Sequence, residues 1–248
     1  MPRLLDNQEE YVVGGGAFRF SAIRPEELEE TEYTLATIAV DVTGSVVGYE
    51  DQLLEMLRNA VDACRKSPRS ENLLLRVFLF SDSLSNHIEE LHGFRLLREI
   101  DTQRDYPVLR PAGLTPLFDA AYSAIGATES YAKMLVDQDF SVNGVIFVIT
   151  DGEDNSSSMT ASAVAQKVSS LVKNEQVEGV VTVLVGINAK ECEAALLHFK
   201  REGNLTQYVD AGDVTPNSLA KLAAFISRSV STTSQNLGTG APSQPLSF

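Results

Sequence analysis

The sequence predicts an α/β protein built on a doubly wound, mostly parallel sheet with helices on both faces and one short antiparallel edge strand. Three observations predict it. Apolar runs rich in β-branched residues alternate with amphipathic stretches of helical length, the pattern of successive βαβ units. Two of those runs, ending at Asp41 and Asp151, stop in an acid followed by turn-forming residues, as buried parallel strands do at the carboxyl edge of such a sheet. Finally, 248 residues of which 44% are hydrophobic suffice for one sizeable core and are few for two.

Residues 1–33 stand apart as an N-terminal extension. Tyr11-Val12-Val13 and the stretch from Ala17 to Ile23 flank Gly14-Gly15-Gly16, which reads as a short hairpin or an added edge strand. The glycines do not form a dinucleotide loop, because the third required glycine falls at Arg19 and no helix follows at once. The main domain is expected over 34–230. It opens with a strand at 35–40 and a helix near 50–66 that turns Leu53, Leu54, Leu57, Val61 and Cys64 inward, followed by a strand at 73–80. The stretch 87–97 reads as the short edge strand. Pro116 opens a helix running to Val136 with Thr115 as its N-cap, since proline's fixed φ and missing N–H suit a first helical turn. A strand at 145–150, a helix at 160–173, a strand at 179–186, a helix at 189–201, a strand at 206–209 and a last helix at 215–230 complete the alternation. Residues 231–248 carry no charge and little apolar surface to offset their ordering entropy, and read as a disordered tail.

A formal charge of −14, with Lys and Arg scattered, argues against nucleic acid, which requires a basic face to displace counterions. The same acidity draws divalent cations. No segment approaches the ~18 continuous apolar residues of a membrane span, and Met1 to Asn7 has neither the basic stretch nor the apolar core of an export signal. A cytoplasmic protein without membrane attachment is expected. Cys64 and Cys192 fall in different predicted helices, so no disulfide framework is indicated and buried thiols in a reducing compartment are the simpler reading.

The candidate site comes from three separated pieces. Asp41-Val42-Thr43-Gly44-Ser45 delivers one carboxylate and two hydroxyls to a loop directly after a buried strand. Thr115, within Gly113-Leu114-Thr115-Pro116-Leu117, lies at a loop-to-helix junction, and Asp151 ends the run Val145 to Thr150 just before Gly152. Oxygen sets with few carboxylates suit Mg²⁺ or Mn²⁺ better than zinc. Ligands of doubly wound sheets bind beyond the carboxyl ends of strands at a topological switch point, where all three pieces should converge. Asp41, Thr43, Ser45, Thr115 and Asp151 are therefore the candidate metal residues, whereas Glu153 and Asp154 read as a solvated turn.

In their order and placement these pieces resemble the von Willebrand factor type A domains, whose metal-ion-dependent adhesion site combines Asp-x-Ser-x-Ser, a distant Thr and a distant Asp often followed by Gly. All five positions match, with Thr43 in place of the commoner serine and its hydroxyl retained. The resemblance implies that Thr43 and Ser45 touch the ion, that Asp41 and Asp151 act through water or by accepting from the ligating hydroxyls, and that Thr115 alternates between indirect and direct contact. It further implies Mg²⁺, with Mn²⁺ or Ca²⁺ as alternatives, and a protein partner that supplies an Asp or Glu to the metal. An intracellular bacterial module is implied, working with an AAA+ ATPase or a stress or phage-defence component, rather than an enzyme. Two other classes compete. A metal-dependent hydrolase would have only Asp41, Asp151 or Glu153 as a base near the motif, and a structural assembly module would carry a non-functional site.

Other motifs dissolve on inspection. His87 and His92 are five apart, where a zinc-protease helix needs four, so their rings would diverge by about 140° on a helix; both read as surface histidines, and His198 has no neighbouring ligand. Val42 separates Asp41 from Thr43-Gly44, unlike an aspartic-protease loop, and Thr43 stands where a haloacid-dehalogenase phosphatase would need its second acid. A Walker loop is absent. Asn155-Ser156-Ser157 and Asn204-Leu205-Thr206 fit glycosylation acceptors but read as loop sequence.

Overall fold

The longest β-branched runs take the centre of the sheet, where both faces are covered and no polar alternation is needed. A computed structural model describes residues 5–13, 16, 18–173 and 177–248. Gly14 and Gly15 of the glycine run, Ala17 and the first four residues lie outside it. The elements are β1 (Gln8–Val12), β2 (Arg19–Ile23), β3 (Glu32–Asp41), α1 (Glu50–Cys64), β4 (Leu73–Phe80), β5 (Ile88–Leu96), α2 (Leu117–Val136), β6 (Ser141–Thr150), α3 (Ala161–Lys173), β7 (Val180–Gly186), α4 (Glu193–Glu202), β8 (Gln207–Asp210) and α5 (Pro216–Thr239). Among the described residues eight strands form one sheet in the order β1-β2-β5-β4-β3-β6-β7-β8.

β3 is the pivot. It pairs in parallel with β4 on one flank and with β6 on the other, and β7 and β8 continue in parallel. The chain leaves β3 outward through β4 and β5, then crosses back to β6, so strand order reverses between β3 and β6. That reversal opens the crevice in which such sheets bind ligands.

Side-chain alternation divides the core between the faces. Ala36, Ile38 and Val40 pack with Leu53, Leu57 and Val61 of α1 and with Leu222 and Ile226 of α5. Ala39, Ile146 and Val148 face α2, α3 and α4 on the other side. The inward face of α1 is the predicted one, and Leu53, Leu54, Leu57, Val61 and Cys64 are all buried.

Tertiary context moves several boundaries. β6 begins at Ser141 rather than 145, because the buried Asn143 has partners: it accepts from Thr34 Oγ1 at 2.7 Å and donates to Thr233 O at 2.7 Å. α4 begins at Glu193, with residues 189–192 forming the turn before it. The stretch read as a short edge strand is the nine-residue β5, antiparallel to β4. β2 docks on its outer side in parallel register, Ala22 opposite Phe94, and the antiparallel β1 forms the rim of the sheet. Gly93 permits this approach, since a Cβ there would stand 1.7 Å from Ser21 O. His92 is buried rather than on the surface; its ring stacks on Tyr106, with Nε2 2.9 Å from that hydroxyl.

The chain end is also ordered further than composition suggests. α5 continues to Thr239 and is capped by Gly240 in the left-handed region, φ 69°. Thr233, Ser234 and Leu237 are buried, Gln207 Nε2 donates to Leu246 O at 2.9 Å, and the Phe248 ring meets Phe225 edge-on. The tail has little apolar surface of its own, yet the body offers partners for the few groups that matter.

Candidate metal centre

β3 delivers Asp41 at its last residue, and the carboxylate organises the loop that follows. Its Oδ1 accepts from Thr43 N–H at 2.9 Å, a side-chain turn that aims the next residues back toward the sheet. Its Oδ2 accepts from Thr150 Oγ1 at 2.7 Å, which ties the end of β3 to the end of β6. Asp41 is only 2% exposed. Burial pushes its carboxyl up to about 6, the nearby Asp151 charge acts in the same direction, and the donors from Thr150 and Thr43 hold it down.

The hydroxyls assemble around this anchor. Thr43 Oγ1 lies 3.0 Å from Ser45 Oγ, and Thr115 Oγ1 donates to Thr43 Oγ1 at 3.4 Å. Ser45 Oγ donates to Asp151 Oδ1 at 2.7 Å. The structure thus brings all five predicted residues to the β3/β6 crevice, with Thr43 and Thr115 buried and Ser45 exposed at the mouth. Gly44 N–H donates to Gly113 O at 3.0 Å, holding the first two pieces side by side.

Thr115 occupies the junction before α2 without acting as its N-cap. The helix starts at Leu117, and no side chain at the cap position bonds to it. The free N–H groups of its first turn are taken instead from the loop after β6: Phe118 N donates to Asp154 Oδ1 at 3.1 Å, and both Phe118 N and Asp119 N donate to Ser157 Oγ at 3.0 and 3.1 Å. This releases the Thr115 hydroxyl to the cluster. Asn155 clamps the same residue from both sides, accepting from Thr115 N at 2.7 Å and donating its own N–H to Thr115 O at 3.0 Å. Asp154 is therefore a helix-capping residue rather than a solvated turn acid, while Glu153 is exposed.

Four supporting residues escaped sequence reasoning. Thr150 was legible only as the polar break in an apolar run, and Asn155 only as part of a glycosylation pattern. Asp119 accepts from Ser158 N at 3.1 Å and Met159 N at 2.7 Å and lies 2.6 Å from His87 Nδ1, which braces the loop bearing Asp151. Tyr49, at the start of α1, donates its hydroxyl to Asp151 Oδ2 at 2.5 Å. None carries a local motif, since each partner is remote in sequence.

The donor set fits a hard divalent cation. Ser45 spends its hydrogen on Asp151, so an oxygen lone pair is left for an ion, and the two carboxylates supply negative charge beside it. Among the described residues no group of three or more His, Cys, Asp or Glu is placed to hold a metal. Cys64 and Cys192 are free thiols, and His198 pairs with Glu202. No helix among the described residues is long and apolar enough to cross a membrane.

No protein-family model and no curated protein matches the chain. Solved structures do. The pilus adhesin SpaC from Lactobacillus rhamnosus GG, in its open conformation, is similar with a TM-score of 0.56 at 9% identity, over 87% of this chain and 32% of that one. Proximal thread matrix protein 1 from the mussel byssus gives a TM-score of 0.50 at 17% identity, over 81% of this chain and 46% of that one. The SpRpn10 VWA domain gives 0.46 at 13% identity, over 77% of this chain and 93% of that one. The chain thus spans less than half the length of the first two. At these identities the likeness is one of fold, the von Willebrand factor type A fold.

Proposed function

We propose that this chain is a protein-interaction module that binds a partner's Asp or Glu through a divalent cation, Mg²⁺ first and Mn²⁺ as its nearest substitute. The observation that carries the reading is the convergence of three hydroxyls, with those of Ser45 and Thr115 3.0 and 3.4 Å from that of Thr43, beside the hydrogen-bonded carboxylates of Asp41 and Asp151. Thr43, Ser45 and Thr115 would hold the ion, and the two acids would orient those hydroxyls and balance its charge. A cation so held supplies an electrophilic point that accepts a carboxylate, because Mg²⁺ commonly keeps waters that a ligand can replace. The exposed Ser45 marks where a partner approaches.

A binding role is favoured over hydrolysis because Asp41 and Asp151 each have both oxygens engaged by donors, which suits holding and orienting more than moving a proton. A reducing, cytoplasmic setting belongs to the same proposal and is supported by two cysteines that remain free. The test is capture of partners from lysate with Mg²⁺, with chelator, and with Ser45→Ala, beside Mn²⁺ titration of each protein. A protein retained only by the wild type in Mg²⁺ is expected. An identical set in all three arms overturns the proposal.

A further inference from the structure

Every carboxylate oxygen in the cluster already accepts one hydrogen bond. The two of Asp41 take Thr43 N–H and the Thr150 hydroxyl, and the two of Asp151 take the Ser45 hydroxyl at 2.7 Å and the Tyr49 hydroxyl at 2.5 Å. Asp41 is buried at a strand end and has no room to turn. Asp151 is only half-buried on the loop beyond β6, so it is the acid with freedom to swing both oxygens toward an ion. Tyr49 removes that freedom.

The phenol is well anchored for the task. Gly48 adopts φ 102°, in the region that favours glycine, and bends the chain between the Gly44–Val46 turn and α1. Tyr49 N–H then donates to Val46 O at 3.2 Å, and Tyr49 O accepts from Leu53 N–H at 3.0 Å. Its ring packs against the apolar cluster beneath α1 and α5, leaving the hydroxyl to reach Asp151.

Ion choice depends on this restraint. Ca²⁺ takes 6–8 oxygens and commonly uses bidentate carboxylates, whereas Mg²⁺ keeps several waters and makes do with one or two carboxylates. We propose that Tyr49 is the ion-selecting residue of the site: by holding Asp151 Oδ2 it denies a two-oxygen carboxylate of the kind Ca²⁺ commonly uses and leaves a donor-poor set suited to Mg²⁺ and Mn²⁺. The inference rests on the metal reading above and deepens it by assigning the selectivity to one side chain.

The experiment is a Mn²⁺ titration followed by electron paramagnetic resonance, with Ca²⁺ as competitor, on the full chain and on Tyr49→Phe and Tyr49→Met. Both variants keep apolar bulk without the donor, and circular dichroism verifies their fold. The wild type should bind Mn²⁺ more tightly than Ca²⁺, and the ratio of the two dissociation constants should narrow by about tenfold in the variants, the lower end of losses seen when an outer hydrogen bond to a ligand is removed. A ratio unchanged while both affinities fall together marks Tyr49 as mere structural support and overturns the inference alone, as does wild-type protein that binds Ca²⁺ as tightly as Mn²⁺. No Mn²⁺ binding by the wild type overturns the metal reading itself, and the inference with it.

Discussion

Replacing Thr150 by Val removes one hydroxyl at the seam between β3 and β6 and leaves a side chain of the same shape. That oxygen stands 2.7 Å from Asp41 Oδ2 and accepts from Gly152 N–H at 3.1 Å. Since Asp41 is 2% exposed, no water replaces the lost donor, and a buried acceptor left unsatisfied costs about 1–3 kcal/mol, with charged groups at the upper end. A loss near 2 kcal/mol lowers the melting temperature by roughly 4–8 °C in a domain of this size. The metal should suffer as well, because outer-shell partners of this kind set affinity by roughly 10–100-fold. Thermal melts with and without Mg²⁺, together with Mn²⁺ titration, measure both effects. The variant should melt lower, and the stabilisation that Mg²⁺ gives the wild type should shrink. A Thr150→Val protein with unchanged melting temperature and Mn²⁺ affinity would refute the claim that Asp41 is held for the metal by this bond.

Gly93→Ala places a Cβ 1.7 Å from Ser21 O and should spring the β1–β2 hairpin from β5, seen as rapid proteolysis and hydrogen exchange over residues 5–23; unchanged protection would count against the docking. Glu90→Ala strands the fully buried Arg76, whose Nε now donates to Glu90 at 2.8 Å, and should cost about 3–5 kcal/mol in urea denaturation. His92 makes stability fall in acid. Burial lowers its pKa from 6.5 to about 4, so its contribution is complete above pH 6.5 and is lost as pH falls toward 4, a total of roughly 3 kcal/mol at 1.36 kcal/mol per pKa unit. The difference in acid slope between wild type and His92→Gln measures this, and equal slopes would refute it.

The doubly wound fold was legible because its signals are local. The run from Leu35 to Val40, the inward stripe of α1 and the acid-ended run before Gly152 are each determined by backbone periodicity and strand burial within a few residues. The convergence of Asp41, Thr43, Ser45, Thr115 and Asp151 was likewise foreseen, because strand direction alone carries the ends of β3 and β6 to one edge of a parallel sheet. His92 was misread because the ring that covers it, Tyr106, comes from the loop beyond β5, a packing partner that no local periodicity records.

What only tertiary structure decided is how the site is held. Thr150 meets Asp41 across 109 residues, Asn155 meets Thr115 across 40, and Tyr49 meets Asp151 across 102. A helix cap supplied by Asp154 and Ser157 from another loop, and a tail ordered by Gln207 and Phe225, follow the same rule. Periodicity records which face of an element is apolar, so the sequence alone determined the sheet and the residues at its edge. Hydrogen-bond partners are chosen by the geometry of assembled elements, so the orientation of each carboxylate, and with it the character of the site, appeared only in three dimensions.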